Sequence, residues 1–199
     1  MGLDQLFPVP ILHIPKVNNF DNVQNEFSNV LNKVTFDKKS NWSTHYLSSL
    51  DFKSDTITLL GMELFQECLS YHVFEYCQYM GFNANIPTEV VSSWFSMFKK
   101  GDYGHLHEHG NADVSGVYYF KTNGNDGDIY FQNPNSNMMS STFYRDSMFT
   151  IDHTYSPAEG QLLLFPGWLK HGIKRNETDN TRISFSFNIH FDKNYAYQR

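Results

Sequence analysis

Three histidines stand at alternate positions in the segment 101–109, namely His105, His107 and His109. Alternate side chains of a β-strand point to the same face of the sheet, so two histidines at positions i and i+2 can hold one metal ion from the same side. A third ligand must then come from elsewhere in the chain. His171 is the candidate, because it follows the apolar run 162–165, which is typical of a buried strand. The spacing therefore predicts a metal site built on histidines.

Eleven residues after His171, Arg182 and Ser184 share one face of another predicted strand. A guanidinium group can hold a carboxylate through two parallel hydrogen bonds, and a neighbouring hydroxyl adds a further donor. Non-heme iron(II) sites of oxygenases commonly use two histidines and one carboxylate on one face of the metal, and leave the other face open. The usual first spacing, His-x-Asp or His-x-Glu, is present at His107 and His109, but the second position holds an imidazole. The order of these residues indicates an iron site beside a carboxylate site.

Each of these features has a plainer structural explanation when it is taken alone. A histidine-rich turn is commonly a polar surface loop, and Arg182 could equally belong to a surface ion pair. Glu108 and Asp113 are the nearby carboxylates that could complete the ligand set in place of His109. Glu108 should point away from the face that the histidines share, whereas Asp113 could fold back through the following turn. His105 is interpreted as a residue that faces the substrate or supports the ligands.

The composition predicts a folded, soluble chain without a nucleic-acid or membrane partner. Its 199 residues are 40% hydrophobic and 17% aromatic, which suffices for one domain with a substantial core. A formal net charge of −6 and the lack of a dense Lys/Arg run argue against binding to nucleic acid. No apolar stretch approaches a membrane span and no signal-peptide pattern is present, so we expect a cytoplasmic protein. Cys68 and Cys77 are predicted on one helix, about 13 Å apart, and should be reduced thiols.

The predicted elements divide into a helical N-terminal part and a β-rich remainder. Apolar residues at three- and four-residue steps predict helices over 20–34 and 55–79, and the proline-containing segment 6–14 is typical of an edge strand. Six short β-rich runs separated by turn residues predict a sandwich, and they cover 90–98, 114–121, 128–133, 148–152, 160–167 and 182–191. In the last run, alternate residues from Arg182 are polar and those from Ile183 are apolar, which indicates one pocket face and one packing face. We expect one domain over 1–199, mainly β with α: a double-stranded β-helix (a cupin-like jelly roll) at about 88–192, buttressed by N-terminal helices at about 20–80.

These motifs together resemble the 2-oxoglutarate- and iron(II)-dependent oxygenases, and most closely the small bacterial and phage members of that superfamily, which are prolyl-hydroxylase-like. The shared pattern is H-x-H, SGVYY, FP-x-W-x-x-H, N and R-x-S-x-S-F-N, at residues 107–109, 115–119, 165–171, 176 and 182–188. The resemblance touches most of the chain, and its specific part runs from residue 94 to residue 188.

The resemblance implies a role for each matched residue. The metal would be held by His107, His109 and His171, with His109 in the position of the usual carboxylate. The far carboxylate of 2-oxoglutarate would be bound by Arg182, Ser184 and Tyr119. The implied activity is that of a dioxygenase with Fe(II) as cofactor and 2-oxoglutarate and dioxygen as co-substrates. It would hydroxylate a C–H bond of a small-molecule or peptidyl substrate, while 2-oxoglutarate is decarboxylated to succinate.

Two alternatives stay open at this point. The first is a cupin-like metalloenzyme that uses three histidines but no 2-oxoglutarate, in which Arg182 would hold a carboxylate of the substrate itself. The second is a jelly-roll binding module without catalytic activity.

Overall fold

Two antiparallel β-sheets pack face to face in the computed structural model, which describes residues 8–38, 46–49, 55–82, 86–135 and 151–192. The strands are β1 (Leu12–Ile14), β2 (Leu47–Ser48), β3 (Thr88–Phe98), β4 (Gly104–His107), β5 (Val114–Lys121), β6 (Ile129–Gln132), β7 (Asp152–Tyr155), β8 (Leu162–Pro166), β9 (His171–Ile173) and β10 (Arg182–Phe191). The larger sheet has the order β1-β8-β5-β10-β3-β2, and the smaller has the order β4-β9-β6-β7. The predicted fold class, a jelly roll that is mainly β with some α, is confirmed.

The predicted strands are present wherever the structure describes them. The edge strand predicted in segment 6–14 is β1, which lies beside β8 at the edge of the larger sheet as far as the structure describes it. The run predicted over 148–152 lies largely outside the described residues, and β7 begins at its last position, Asp152.

The three helices are α1 (Phe20–Leu31), α2 (Thr56–Leu60) and α3 (Glu63–Tyr79). The prediction of one continuous helix over 55–79 was wrong, because Gly61 adopts a left-handed conformation with φ 64° and ends α2. Glycine takes this conformation without the steric penalty of a Cβ atom, so it commonly terminates helices. Cys68 and Cys77 both lie on α3 and form no disulfide. Among the described helices, none combines the length and apolar character that a membrane span requires.

Strand β10 separates two apolar clusters. Its residues Ile183, Phe185, Phe187 and Ile189 are buried against the helices on the outer face of the larger sheet. On the inner face, residues such as Val117 and Leu163 pack against Ile129 and Phe131 of the smaller sheet. The predicted packing face of β10 therefore contacts the helices, and its polar face lines the space between the sheets.

On the inner face of the larger sheet, residues of β3 and β5 lie directly opposite residues of β10. Ser184, Ser186 and Asn188 lie opposite Ser96, Trp94 and Ser92 of β3, and opposite Tyr119, Val117 and Ser115 of β5. These nine residues and Arg182 are called the floor below. The floor carries the polar side chains of β10 into the interior of the sandwich.

Candidate functional site

His107, His109 and His171 come together at the small sheet. One nitrogen atom of each ring lies within 4.8 Å of those of the other two. The ring centroids are 4.4 Å apart for His107 and His171, and 5.0 and 5.2 Å from His109 to these two, respectively. Strand pairing accounts for the first contact, because His107 of β4 lies directly opposite His171 of β9. In the described part of the chain this is the one group of three or more His, Cys, Asp or Glu with such a geometry.

His109 reaches the cluster from a turn, since β4 ends at His107. Its amide donates to the carbonyl of Gly167 at 2.8 Å, and its carbonyl accepts from the amide of Ala112 at 2.8 Å. The amide of Gly167 in turn donates to the carbonyl of Asp113 at 3.2 Å. A Cβ atom at residue 167 would collide with the carbonyl of Ala112 and would lie 2.9 Å from that of His109. The turn that carries His109 therefore packs closely on the backbone between β8 and β9.

The protonation of the ring nitrogens is fixed by backbone carbonyls. Nδ1 of His107 lies 2.8 Å from the carbonyl oxygen of His105, and Nδ1 of His171 lies 2.8 Å from that of Leu169. Because a carbonyl oxygen only accepts, Nδ1 carries the proton in both rings and Nε2 keeps its lone pair for a metal. Burial lowers the pKa of His107 and His171, and lowers the pKa of His109 to about 4. The three imidazoles are therefore neutral at physiological pH, as metal ligation requires.

The other candidate ligands lie outside this cluster. Glu108 is exposed, as the strand alternation predicted. The carboxylate of Asp113 accepts a hydrogen bond from the amide of Phe191 at 2.8 Å. His105 is exposed, and it supports His107 through its carbonyl group. The structure thus brings His109, rather than either carboxylate, to the other two histidines.

The two tryptophans near the cluster differ in their environment. Trp94 is buried, and its ring centroid lies 5.9 Å from that of His109. Trp168, in contrast, has a side chain that is 51% exposed. Leu169 points inward from the same turn and joins the inner apolar cluster instead.

Arg182 is completely buried, and part of its guanidinium group has no partner. Nη1 donates to the carbonyl of Gly127 at 2.5 Å, whereas Nε and Nη2 have no acceptor among the described residues. The hydroxyl of Tyr119 is also buried and without a described partner. A buried polar group left without a partner costs about 1–3 kcal/mol. Three such donors in one place indicate a site for an acceptor-rich ligand.

The electrostatics of this pocket favour an anion. Burial lowers the pKa of Arg182, and nearby Tyr119 and Asp126 oppose this effect, but an arginine remains protonated in proteins. Burial raises the pKa of Tyr119 to about 12, so its hydroxyl keeps the proton that it can donate. Ser184 is buried beside them, directly opposite Tyr119. The three residues predicted to bind a carboxylate therefore lie together on two neighbouring strands.

Two parts of the pocket wall were not predicted from the sequence. Tyr46 stacks on the ring of Phe98 at 4.3 Å, and Phe98 packs against the guanidinium group of Arg182 at 4.1 Å. Gly127 supplies the carbonyl for Arg182 and follows the fully buried Asp126. The available signal was the run GNDGD at 124–128, in which two carboxylates and two glycines precede a strand.

Asn176, the isolated asparagine of the sequence pattern, has a structural position. Its side chain is fully buried and donates to the carbonyls of Phe98 and Asn180 at 3.3 and 2.8 Å. Its own carbonyl accepts from the amide of Gly101 at 2.7 Å. Asn176 therefore joins the loop before β4 to the loop that leads into Arg182.

Comparisons with known proteins agree with this geometry. Residues 92–188, just under half of the chain, match the family model described as "Putative 2OG-Fe(II) oxygenase". No curated protein matches the chain. HygX from Streptomyces hygroscopicus, solved with nickel and 2-oxoglutarate bound, is 14% identical, with a TM-score of 0.58 over 91% of this chain and 82% of that one.

Two further solved structures share the fold. A prolyl-4-hydroxylase from Pseudomonas putida is 12% identical, with a TM-score of 0.61 over 93% of this chain and 94% of that one. The non-heme alpha ketoglutarate dependent epimerase SnoN from nogalamycin biosynthesis is 14% identical, with a TM-score of 0.60 over 92% and 78% of the two chains.

A jelly roll that places a histidine cluster and a buried arginine between its sheets agrees with the architecture of a non-heme iron oxygenase. Residues 92–188 are similar to the 2-oxoglutarate- and iron(II)-dependent oxygenases, and the match includes the histidine cluster and Arg182. The family model, and the nickel and 2-oxoglutarate bound to HygX, agree with the expectation of Fe(II) as cofactor and 2-oxoglutarate as co-substrate.

Proposed function

We propose that the protein is a dioxygenase that hydroxylates a C–H bond of its substrate and decarboxylates 2-oxoglutarate. In the balanced reaction, the substrate, dioxygen and 2-oxoglutarate give the hydroxylated product, succinate and carbon dioxide. The observation that carries the proposal is the pairing of three neutral histidines with the unpartnered donors of Arg182 and Tyr119 in one interior space.

In this proposal His107, His109 and His171 hold iron(II) through one nitrogen atom each. Iron(II) with bound 2-oxoglutarate supplies the oxidising chemistry that activates dioxygen. The imidazoles leave the full double positive charge on the metal, whereas the usual carboxylate would neutralise part of it. His109 should therefore strengthen the binding of the negatively charged co-substrate.

Arg182, Ser184 and Tyr119 bind the far carboxylate of 2-oxoglutarate. Nε and Nη2 lie on one edge of the guanidinium group and match the two oxygens of a carboxylate. The phenol of Tyr119 adds a third donor. Because all three residues are buried, each hydrogen bond forms in a region of low dielectric constant and is correspondingly strong.

Aromatic side chains keep water away from the proposed iron site. The rings of Phe165 and Phe131 have centroids 4.7 and 5.9 Å from that of His171. Exclusion of water limits side reactions of a strongly oxidising centre.

One observation favours a second candidate, a three-histidine metalloenzyme without 2-oxoglutarate. It is the imidazole of His109 at the position where this superfamily usually has a carboxylate. In that case Arg182 would bind a carboxylate of the substrate itself.

Anaerobic titration of the iron(II)-loaded protein with 2-oxoglutarate separates the two candidates. Chelation of iron by 2-oxoglutarate gives a weak charge-transfer band in the visible. We expect the band in the wild type, no metal binding in His171→Ala, and about 100-fold weaker 2-oxoglutarate binding in Arg182→Ala, since hydrogen bonds to charged groups contribute about 1.5–3 kcal/mol each.

Arg175→Ala is the matched control, because this arginine is largely exposed. It should titrate like the wild type. Iron binding without a charge-transfer band would favour the three-histidine metalloenzyme, and loss of iron binding in the wild type would favour a binding module.

A further inference from the structure

A hydrogen-bonded network crosses three strands at the end of the floor that lies away from Arg182. The hydroxyl of Ser115 donates to Oδ1 of Asn188 at 2.7 Å, and Nδ2 of Asn188 donates to Oγ of Ser92 at 3.1 Å. These contacts fix the orientation of the amide, with its oxygen towards β5 and its nitrogen towards β3.

Strand register locates this network relative to the histidines. Trp94 contacts His109 and lies opposite Ser186, whereas Phe165 contacts His171 and lies opposite Ser115. The histidine cluster therefore lies over the end of the floor at Ser186 and Ser115, between Trp94 of β3 and Phe165 of β8.

Asn188 and Arg182 lie at opposite ends of the floor. Along β10 they are six residues, or about 20 Å, apart. A co-substrate that extends from Arg182 to the histidines thus reaches the metal from one side, and Asn188 lies on the other.

The network retains hydrogen-bonding capacity that no described residue uses. Ser115 is buried, but Asn188 and Ser92 are partly exposed. Asn188 keeps a second N–H donor and a second acceptor lone pair, and Ser92 keeps its hydroxyl proton. A network that only joined strands would need none of these groups to be accessible.

We propose that Asn188, oriented by Ser115 and Ser92, binds an uncharged hydrogen-bonding group of the substrate. The inference rests on the proposed oxygenase function and names the substrate class: a compound that carries a hydroxyl or carboxamide group near the oxidised carbon. Asn188, Ser92, Ser115 and the neighbouring Ser186 are all uncharged, and the nearby carboxylate of Asp113 already accepts a hydrogen bond from the amide of Phe191 at 2.8 Å, so the network itself suits an uncharged group.

Ligand-observed saturation-transfer NMR tests the proposal without turnover. The full chain is loaded with zinc(II) and 2-oxoglutarate, and is then screened with acetamide, N-methylacetamide and glycerol. Acetate, methylammonium and cyclohexane serve as probes of anionic, cationic and hydrocarbon binding. The expected result is binding of the amides and glycerol, with an affinity at least 10-fold weaker in Asn188→Ala.

Two further variants separate recognition from folding. Asn188→Asp keeps the shape of the side chain and can still accept from Ser115 and Ser92, but it has no N–H donor for the carbonyl of a probe, so it should bind the amides more weakly than the wild type. Asn22→Ala is the matched control. The side chain of Asn22 is exposed, and its hydrogen bond to Asn19 is the only one it makes to a described residue. It should bind the probes like the wild type.

The proposal is overturned if amide and glycerol binding persists in Asn188→Ala, or if none of the uncharged polar probes binds the wild type. Preferential binding of acetate, methylammonium or cyclohexane would also overturn it. Failure of the oxygenase proposal itself is distinguishable, because it would appear beforehand as loss of 2-oxoglutarate binding in the wild type.

Discussion

Individual residues at this site combine burial with unmet hydrogen-bonding capacity. Tyr119 and Tyr118 are neighbours on β5, and both are fully buried. The hydroxyl of Tyr118 donates to Gln24 at 3.2 Å, whereas that of Tyr119 has no partner among the described residues. The two residues therefore form a matched pair that separates a structural hydroxyl from a ligand-binding one.

We predict opposite effects for the two corresponding substitutions. Tyr119→Phe should raise the free energy of unfolding of the metal-free protein by about 1 kcal/mol and weaken 2-oxoglutarate binding by roughly 10-fold, because it removes an unpaired buried group that the ligand would satisfy. Tyr118→Phe should lower the free energy of unfolding by about 1 kcal/mol and leave 2-oxoglutarate binding unchanged. Urea denaturation and the charge-transfer titration measure the two effects. Equal effects of both variants on ligand binding would contradict the assignment of Tyr119.

Sequence patterns identify the polar residues of the site better than their partners. Two features of the site can be read from the pattern of the sequence alone. One is the placement of His107 and His171 on two strands, and the other is the position of Arg182 on a polar strand face. The contact between Arg182 and Gly127 joins residues 55 positions apart, and no local pattern predicts it. Likewise, only the packed turn determines that Leu169 rather than Trp168 points inward.

The turn between β8 and β9 positions His109. Gly167 lies against the backbone of Ala112 and His109, with no space for a Cβ atom. Gly167→Ala should displace this turn and weaken metal binding at least 10-fold, while β8 keeps its pairing with β5. Isothermal titration with iron(II) under anaerobic conditions measures the affinity, and circular dichroism reports the sheet.

Gly110→Ala is the control for this substitution, because a Cβ atom there would meet no atom within 4 Å. It alters the turn that carries His109, which packs on Gly167, without a collision, so it should bind iron(II) like the wild type. Weakened binding in both variants would show that the loop is sensitive to any substitution, and the specific role of Gly167 would be lost.

Most of the elements that were not predicted from the sequence are short strands. β4 has four residues and β9 has three, which is too few for a hydrophobic period to be recognised. They form because β9 pairs with both β4 and β6. The long strand β10 has clear alternation, β3 and β5 are recognisable as β-rich runs between turn residues, and the prediction of all three from sequence was correct. The break at Gly61 was missed because apolar spacing continues across it.

The molecule as a whole places the two halves of its site on different sheets. His107 and His171 belong to the smaller sheet, and Arg182 and Tyr119 belong to the larger. Composition and turn spacing predicted a sandwich, but the pairing order that opposes these strands depends on contacts between distant segments. A co-substrate bound to both halves would tie the sheets together.

Ligand binding should therefore stabilise the fold in two separate steps. A ligand present at about 100 times its Kd adds about 2.7 kcal/mol to the free energy of unfolding, which corresponds to roughly 5–10 °C in Tm for a chain of this length. Iron(II) under anaerobic conditions should give the first increase in Tm, and 2-oxoglutarate the second. Arg182→Ala should keep the first step and lose the second, whereas His171→Ala should lose both. Differential scanning calorimetry measures the steps, and an undiminished 2-oxoglutarate step in Arg182→Ala would contradict a bridge between the sheets.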